Sequence, residues 1–205
     1  MPSSQPSRHL PFHALMRALR APGCPACELG QVSGERWLRT LFHEFVNDPG
    51  VRDRLRAARG FCARHTELAA QIGDHLGLCI LQADLLADAL GALNARPRDA
   101  CPCCAAEREA ATRGIAVLLD HLGEPDVSAA YRAGDGLCLP HLRQALSGGQ
   151  TAQGVALAAL EREKLQALVA QCELFIAHYA GRRRTEPMGP ERDVWRRAGR
   201  KLAGG

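Results

Sequence analysis

Aromatic residues are scarce in this chain: Phe, Trp and Tyr together make up only 4% of its 205 residues. β-Sheets are enriched in aromatic and β-branched residues, whereas Ala, Leu and Arg, which dominate here, are good helix formers. The hydrophobic share of 46% is ordinary for a folded protein, and the length allows one compact domain or two small ones. The composition therefore argues against a sheet and predicts an all-α fold.

Long apolar runs are also missing. No stretch approaches the roughly 20 apolar residues that a membrane helix needs. The first 20 residues, MPSSQPSRHLPFHALMRALR, lack the uninterrupted apolar segment of a secretory signal. We therefore expect no membrane association and a cytoplasmic location, where disulfides are uncommon and clustered cysteines usually indicate metal or redox chemistry.

Charge is nearly balanced over most of the chain. The formal net charge is +4, and residues 182–205 alone carry eight Arg or Lys against three Asp or Glu. The body is therefore not a nucleic-acid-binding surface on charge grounds, and only this basic tail is a candidate for one. Common enzyme motifs are lacking too: the chain has no G-x-S-x-G, no phosphate-binding glycine loop and no H-E-x-x-H.

What the sequence does contain is a repeat. The segments CPAC (24–27), NDPGV (47–51) and GFCARH (60–65) return as CPCC (101–104), GEPDV (123–127) and GLCLPH (136–141). The offset is 77 residues for the first pair and 76 for the other two, and apolar residues recur at helical spacing from Glu28 and again from Ala105. We interpret this as an internal duplication that gives two pseudo-symmetric helical halves. The predicted division is 1–94, 95–181 and a basic tail or helix, 182–205, that packs on the body.

Each half supplies three cysteines and one histidine as C-x-x-C followed, after 33 or 34 residues, by C-x-x-H. Three thiolates and one imidazole make a tetrahedral zinc site, and two-residue spacers let one turn supply two ligands. The expected first site comprises Cys24, Cys27, Cys62 and His65. The expected second site comprises Cys101, Cys104, Cys138 and His141.

Other interpretations of these motifs stay open. Soft thiolates also suit iron–sulfur clusters, although a Cys3His set is more common for zinc. A redox dithiol would need a βαβ context, and haem attachment would need a His where Glu28 and Ala105 stand. Cys103 is a spare thiol or an alternative ligand to Cys104. The cysteines could also simply pack between helices, as we expect of Cys79 and Cys172.

Taken together, the motifs resemble those of an uncharacterised bacterial and archaeal family, a domain of unknown function. That family's motifs are CPxC, VNDPG, GFCxxH, a second CPxC, GLCxPH and a C-terminal EPMGxExDxWxRA. They match this chain from about Phe12 to Leu202. The resemblance implies that the eight Cys and His residues of the two expected sites are family positions and that residues 186–198 belong to the fold. It implies no activity.

Three functions follow as hypotheses. The first is a binding or regulatory module, shaped by structural zinc, that recognises a protein or, through its basic tail, a nucleic acid. The second is an iron–sulfur or dithiol redox protein. The third is an enzyme whose site lies in the cleft between the two halves.

Overall fold

The computed structural model describes residues 10–180 and 187–204, and all regular secondary structure in these two segments is helical. This confirms the all-α fold. Residues 182–186 and 205 of the expected basic tail lie outside the described residues. No helix in the described segments is both long and apolar enough to cross a membrane. Within the two described segments the α-helices are α1 (Leu10–Ala18), α2 (Pro25–Thr40), α3 (Pro49–Ala57), α4 (Ala63–Ile72), α5 (His75–Gly91), α6 (Pro102–His121), α7 (Pro125–Ala133), α8 (Leu139–Leu146), α9 (Ala152–Tyr179) and α10 (Val194–Ala203).

Two compact units make up the chain, and they differ from the expected division at 94/95. Unit 1 comprises the described residues of Met1–Leu29 and Ala111–Gly205, and unit 2 is Gly30–Ala110. The physical reason is that α2 and α6 are continuous helices that cross the boundary, so each unit contains part of both sequence repeats.

Unit 1 is built around one apolar core. Side chains of α1, the start of α2, the second part of α6 and helices α7 to α9 contribute to it. Its largest fully buried members are Leu15, Leu118, Tyr131, Leu137 and Leu157. Helix α10 packs on α8 and α9, and its buried residues are Val194 and Lys201.

Unit 2 has its own core, formed by the second part of α2, a π-helical turn that continues it (Leu41–Phe45), α3, α4, α5 and the start of α6. Leu38, Leu55 and Leu81 are almost completely buried there. Two glycines of α2 let α6 approach closely. A Cβ atom at Gly34 would lie 2.8 Å from Glu107 and 3.1 Å from the Cys103 sulfur.

The turns that precede the C-x-x-H motifs have nearly the same geometry in both repeats. Gly60 and Gly136 both adopt a left-handed backbone, with φ of 92° and 73°. Cys62 (φ −68°, ψ 163°) and Cys138 (φ −67°, ψ 160°) then begin α4 and α8 as N-cap residues. A left-handed φ favours glycine because it has no Cβ. The duplication itself stays a prediction.

Candidate metal centres

Cluster 1 lies in unit 1 and consists of Cys24, Cys27, Cys138 and His141. The Cys27 and Cys138 sulfurs are 3.8 Å apart. The Nδ1 atom of His141 is 3.5 Å, 3.4 Å and 3.2 Å from the sulfurs of Cys24, Cys27 and Cys138. Cys24 and Cys138 are buried, so these four side chains converge on one point largely sheltered from water.

Cluster 2 lies in unit 2 and consists of Cys62, His65, Cys101 and Cys104. The Cys62 and Cys104 sulfurs are 3.6 Å apart. The Nδ1 atom of His65 is 3.2 Å, 3.5 Å and 3.3 Å from the sulfurs of Cys62, Cys101 and Cys104. His65 is completely buried.

The structure therefore brings together all eight expected residues but pairs them differently. Each C-x-x-C lies with the C-x-x-H of the other repeat, so the expected grouping of Cys24 and Cys27 with Cys62 and His65 is wrong. Helix length explains the difference. At 1.5 Å per residue, α2 and its π-helical turn carry the chain about 30 Å away from Cys24, and the nine residues of α3 span only about 14 Å. The same reasoning applies to α6 and α7 in the second repeat.

Each cluster lies at the start of two helices. Helices α2 and α6 begin at Pro25 and Pro102, three residues earlier than their apolar periodicity suggested, so the first cysteine of each C-x-x-C immediately precedes its helix. Proline is well suited to the first helical position because its missing N–H has no partner there anyway. The free N–H groups at a helix N-terminus carry partial positive charge and stabilise thiolates.

The distances fit one tetrahedral ion. Zinc–sulfur bonds of about 2.3 Å and a zinc–nitrogen bond of about 2.0 Å correspond to sulfur–sulfur edges of about 3.8 Å and sulfur–nitrogen edges of about 3.5 Å. The edges given above are 3.6–3.8 Å and 3.2–3.5 Å. Both donor sets are thus chemically and geometrically able to hold a metal ion.

The proton affinities of cluster 1 show how tightly its ligands are coupled. Hydrogen bonds from Cys138 and Cys27 lower the pKa of Cys24, and the hydrogen bond to Cys24 raises the pKa of Cys138. Hydrogen bonds to Cys24 and Cys27 raise the pKa of His141 to about 10. Neighbouring thiols this close cannot all ionise unless a positive charge lies among them, and a divalent cation supplies that charge.

In cluster 2, burial opposes ionisation of the thiols, yet hydrogen bonds from the His65 backbone N–H and from Cys104 lower the pKa of Cys62. Burial and the hydrogen bond to Cys62 raise the pKa of Cys104 to about 12. As in cluster 1, one thiol ionises at the expense of its neighbour.

Glu107 contacts the ring nitrogen of His65 that faces away from the three sulfurs of cluster 2. One of its oxygens lies 3.0 Å from the Nε2 atom of His65, and the other accepts a hydrogen bond from Arg64. With Nε2 protonated and donating to the carboxylate, Nδ1 keeps its lone pair and faces the three sulfurs. Sequence analysis missed Glu107. Its spacing from Cys104 was the available signal, because residues three apart on a helix share a face.

Cys103 has a different role from its neighbour Cys104. It is fully buried, and its S–H donates to the Gly34 carbonyl oxygen at 3.4 Å. Burial raises the pKa of Cys103 to about 12, which keeps it a neutral thiol. Its sulfur lies near His65 and Glu107, but that group contains only one thiol. Cys104 is therefore the better ligand of the two.

Two further cysteines lie outside both clusters. Cys172 is half-buried, whereas Cys79 is exposed, so the expectation that both are core residues is wrong for Cys79. Apolar periodicity placed it on the inner face of α5, but that helix leaves many apolar side chains exposed, among them Leu76, Leu86 and Leu90.

A buried polar group holds the turn that leads into cluster 1. Glu161 accepts hydrogen bonds from Tyr131, from Lys201 and, at 2.7 Å, from the Leu137 backbone N–H. Glu161, Lys201 and Tyr131 are all at least 95% buried. The end of α10 covers the cluster itself, since a Cβ atom at Gly204 would lie 3.4–3.5 Å from two of its sulfurs. Its position in the sequence does not distinguish Glu161 from Glu163, an exposed carboxylate of the same helix.

Comparison of the chain with family models, with curated proteins and with solved structures found no match. The resemblance described from the motifs therefore stays a prediction, and the candidate sites rest on the geometry given above.

Proposed function

We propose that the protein is a zinc-binding helical module whose two centres are structural, and that the surfaces they stabilise bind a protein partner. The observation that carries this proposal is the single-ion geometry of the two clusters. The two sulfur–sulfur and six sulfur–nitrogen distances given above all lie within about 0.4 Å of an edge of a zinc tetrahedron.

The same distances favour one ion over an iron–sulfur cluster. A cluster distributes its cysteine ligands over two or four irons, so ligands of different irons lie farther apart than the corners of a single tetrahedron. The four ligand atoms of each set all lie within 4.8 Å of one another, which fits one ion and not two or more irons. Zinc rather than another single ion is supported by three thiolates and one imidazole, a common set for structural zinc.

A structural role is supported by the completeness of the ligand sets. Four protein ligands fill the tetrahedron and leave no position for water or substrate. Each set also joins two helix N-termini that are far apart in sequence, so zinc bound there stabilises the folded chain directly. Structural zinc sites contribute apparent binding free energies on the order of 10 kcal/mol at neutral pH.

Metal analysis of the purified full-length chain tests the proposal. We expect two zinc ions per chain, a colourless protein even after anaerobic purification, and one zinc ion per chain in the Cys138→Ser and Cys62→Ser variants. Cys79→Ser and Cys172→Ser are matched controls, because these cysteines lie outside the clusters, and both should retain two. A brown protein with an absorption band at about 400 nm, which iron–sulfur ligation produces, contradicts the proposal. A chain without metal contradicts it as well.

A protein partner is favoured over a nucleic acid because part of the tail's positive charge faces inward. Lys201 is buried against Glu161, and Arg197 donates to Gln171 and Asp193. Both side chains are largely buried, with Lys201 5% and Arg197 21% exposed, so neither projects toward an extended nucleic-acid backbone. We expect a single-stranded oligonucleotide to bind only weakly at physiological salt, where exposed charges are screened beyond about 8 Å.

A further inference from the structure

A cavity of about 230 Å³ opens in unit 1 beside cluster 1, with Cys24 and Cys138 in its wall. Five of its fourteen described lining residues are basic, and Asp135 is the single carboxylate among them. The basic residues are Arg132, Lys164, Arg197, Arg200 and Lys201. We call this space the basic cavity.

Three of the five cations have carboxylate partners. Lys201 pairs with Glu161, Arg197 with Asp193 and Arg132 with Glu163. Lys164 and Arg200 have none among the described residues. Asp135, whose Oδ2 accepts from the Gly23 backbone N–H at 2.6 Å, and Glu161 lie close enough to act on the charge of Lys164, but neither makes an ion pair with Lys164 in the described part of the chain.

Hydrogen-bond donors are left over in the wall as well. The buried ammonium of Lys201 donates to Glu161 and to the Asp135 carbonyl oxygen, which uses two of its three N–H groups. Lys164 similarly donates to the carbonyl oxygens of Arg132 and Gly134 and keeps one N–H. The guanidinium of Arg200 makes no hydrogen bond with a described residue, so its five N–H donors face no described acceptor.

We propose that the basic cavity binds a phosphate group, either inorganic phosphate or the phosphate of a small monoester. A phosphate has several oxygens that accept hydrogen bonds from converging Lys and Arg side chains, and an Arg fork matches it bidentately. The volume is below the roughly 300 Å³ at which sites for drug-sized ligands begin, which fits a group of this size. Burial lowers the pKa of Lys164, and a bound dianion offsets that penalty.

The cations have another possible task, which is to balance the thiolates of cluster 1. Three thiolates around one divalent ion leave a net charge of −1, and Cys24 and Cys138 face the same space. If the cations only balanced the thiolates, the protein would not bind phosphate, and removing Arg200 would weaken zinc retention alone. The two tasks are separable because zinc content and phosphate affinity are independent measurements.

Calorimetric titration of the zinc-loaded full-length protein with inorganic phosphate, at constant ionic strength and against chloride, tests the proposal. We expect saturable binding at one site, weakened tenfold to a hundredfold by Arg200→Ala, as the loss of a charge-assisted hydrogen bond implies. Arg196→Ala is the matched control: it removes the same charge from the same helix, but Arg196 lies over the Trp195 ring and does not line the cavity. It should change the affinity less than twofold.

Competition titrations distinguish a small phosphate monoester from the phosphates of a nucleic-acid backbone. Methyl phosphate should compete with inorganic phosphate, and competition by a short oligonucleotide at lower concentration would assign the same chemistry to a nucleic-acid backbone. Lys164→Met, with Arg162→Ala as its exposed control on α9, repeats the test from the other wall. The proposal is overturned if phosphate shows no saturable binding, if Arg200→Ala and Arg196→Ala behave alike, or if Arg200→Ala loses zinc alone.

Discussion

The Nε2 atom of His65 lies 3.0 Å from Glu107, and the position that corresponds to Glu107 in the first repeat is Gly30. Arg64, which binds the other oxygen of Glu107, likewise corresponds to Pro140. Because the pairing is crossed, both supporting residues fall on cluster 2 and neither has a charged counterpart at cluster 1. The two clusters therefore have the same ligands in different surroundings.

Replacing Glu107 by Gln should weaken zinc retention in cluster 2 by about tenfold to a hundredfold, the usual effect of losing a carboxylate that is hydrogen-bonded to a metal-ligating histidine. The amide keeps the shape of the side chain but removes the charge that orients His65 and makes its Nδ1 a stronger ligand. Titration with a chromogenic chelator measures the change, because the two zinc ions of each chain are released in two successive steps.

Glu67→Gln is the control for this experiment, because Glu67 is an exposed carboxylate on α4 that bonds only to Gln71 among the described residues. Its zinc release should match that of the unmodified protein. If Glu107→Gln leaves both releases unchanged, or alters the one that belongs to cluster 1, Glu107 does not have the role assigned to it.

The crossed pairing makes its own prediction about cysteine protection. In Cys138→Ser, loss of one ligand should open cluster 1, so Cys24 and Cys27 become reactive while Cys101 and Cys104 stay protected. Brief alkylation of the native protein followed by peptide mass spectrometry reads each cysteine separately. The grouping expected from the sequence predicts the opposite result.

Cys62→Ser supplies the reciprocal experiment. It should expose Cys101 and Cys104 and leave Cys24 and Cys27 protected, since those two belong to cluster 1. If either variant exposes the cysteines of its own sequence repeat instead, the crossed arrangement is wrong even though all eight residues bind metal.

Spacing was enough to identify the eight clustered residues, because C-x-x-C and C-x-x-H are local and each is formed by a single turn. Their pairing depended on where α2 delivers the chain, about 30 Å from Cys24. Apolar periodicity predicts that such a helix exists. Pairing each C-x-x-C with the next C-x-x-H along the chain, however, neglects how far this helix separates the two motifs in space. The composition, by contrast, was sufficient for the all-α fold.

Charged residues in the core could not be predicted in this way. Glu161 looks like a solvated position, and only the folded chain shows that Lys201, 40 residues later, reaches it. The corresponding residue in the first repeat, at an offset of 76, is Leu85, which contacts the Gly60 position much as Glu161 contacts Gly136. The apolar contact of Leu85 in unit 2 thus corresponds to the polar contact of Glu161 in unit 1. Helix α10 supplies Lys201 as the partner of Glu161.

Replacing Lys201 by Met should destabilise unit 1 by about 3–5 kcal/mol, because it leaves the Glu161 carboxylate buried without its cation. Adding Glu161→Gln to this variant should restore part of the loss, since the neutral amide still accepts from the Leu137 N–H. Urea unfolding in zinc-containing buffer measures both changes.

Arg196→Met is the control for Lys201, because it removes an exposed cation from the same helix. It should change the free energy of unfolding by less than about 0.5 kcal/mol, as exposed substitutions usually do. Equal effects of the two single variants would show that Lys201 contributes only surface charge, contrary to its burial.

Alanine at Gly136 should destabilise the protein more than alanine at Gly60. Both positions need a left-handed backbone, which costs a residue with a Cβ about 1–2 kcal/mol. At Gly60 the added carbon meets only the end of Leu85, at 3.2 Å, and that flexible side chain can move. At Gly136 it meets Glu161, which is fixed by its hydrogen bonds and by Lys201, so we expect a total cost of roughly 3–5 kcal/mol.

Gly148→Ala provides the baseline for the two glycine variants, because nothing lies within 4 Å of a Cβ at Gly148. It should leave the denaturation midpoint nearly unchanged. The comparison is decisive for the buried group: Gly136→Ala in the background of Lys201→Met should cost much less than in the unmodified chain, since the two changes disturb the same carboxylate and are not additive. Additive losses would mean that the strain at Gly136 is purely in the backbone and that Glu161 does not hold the turn before Cys138.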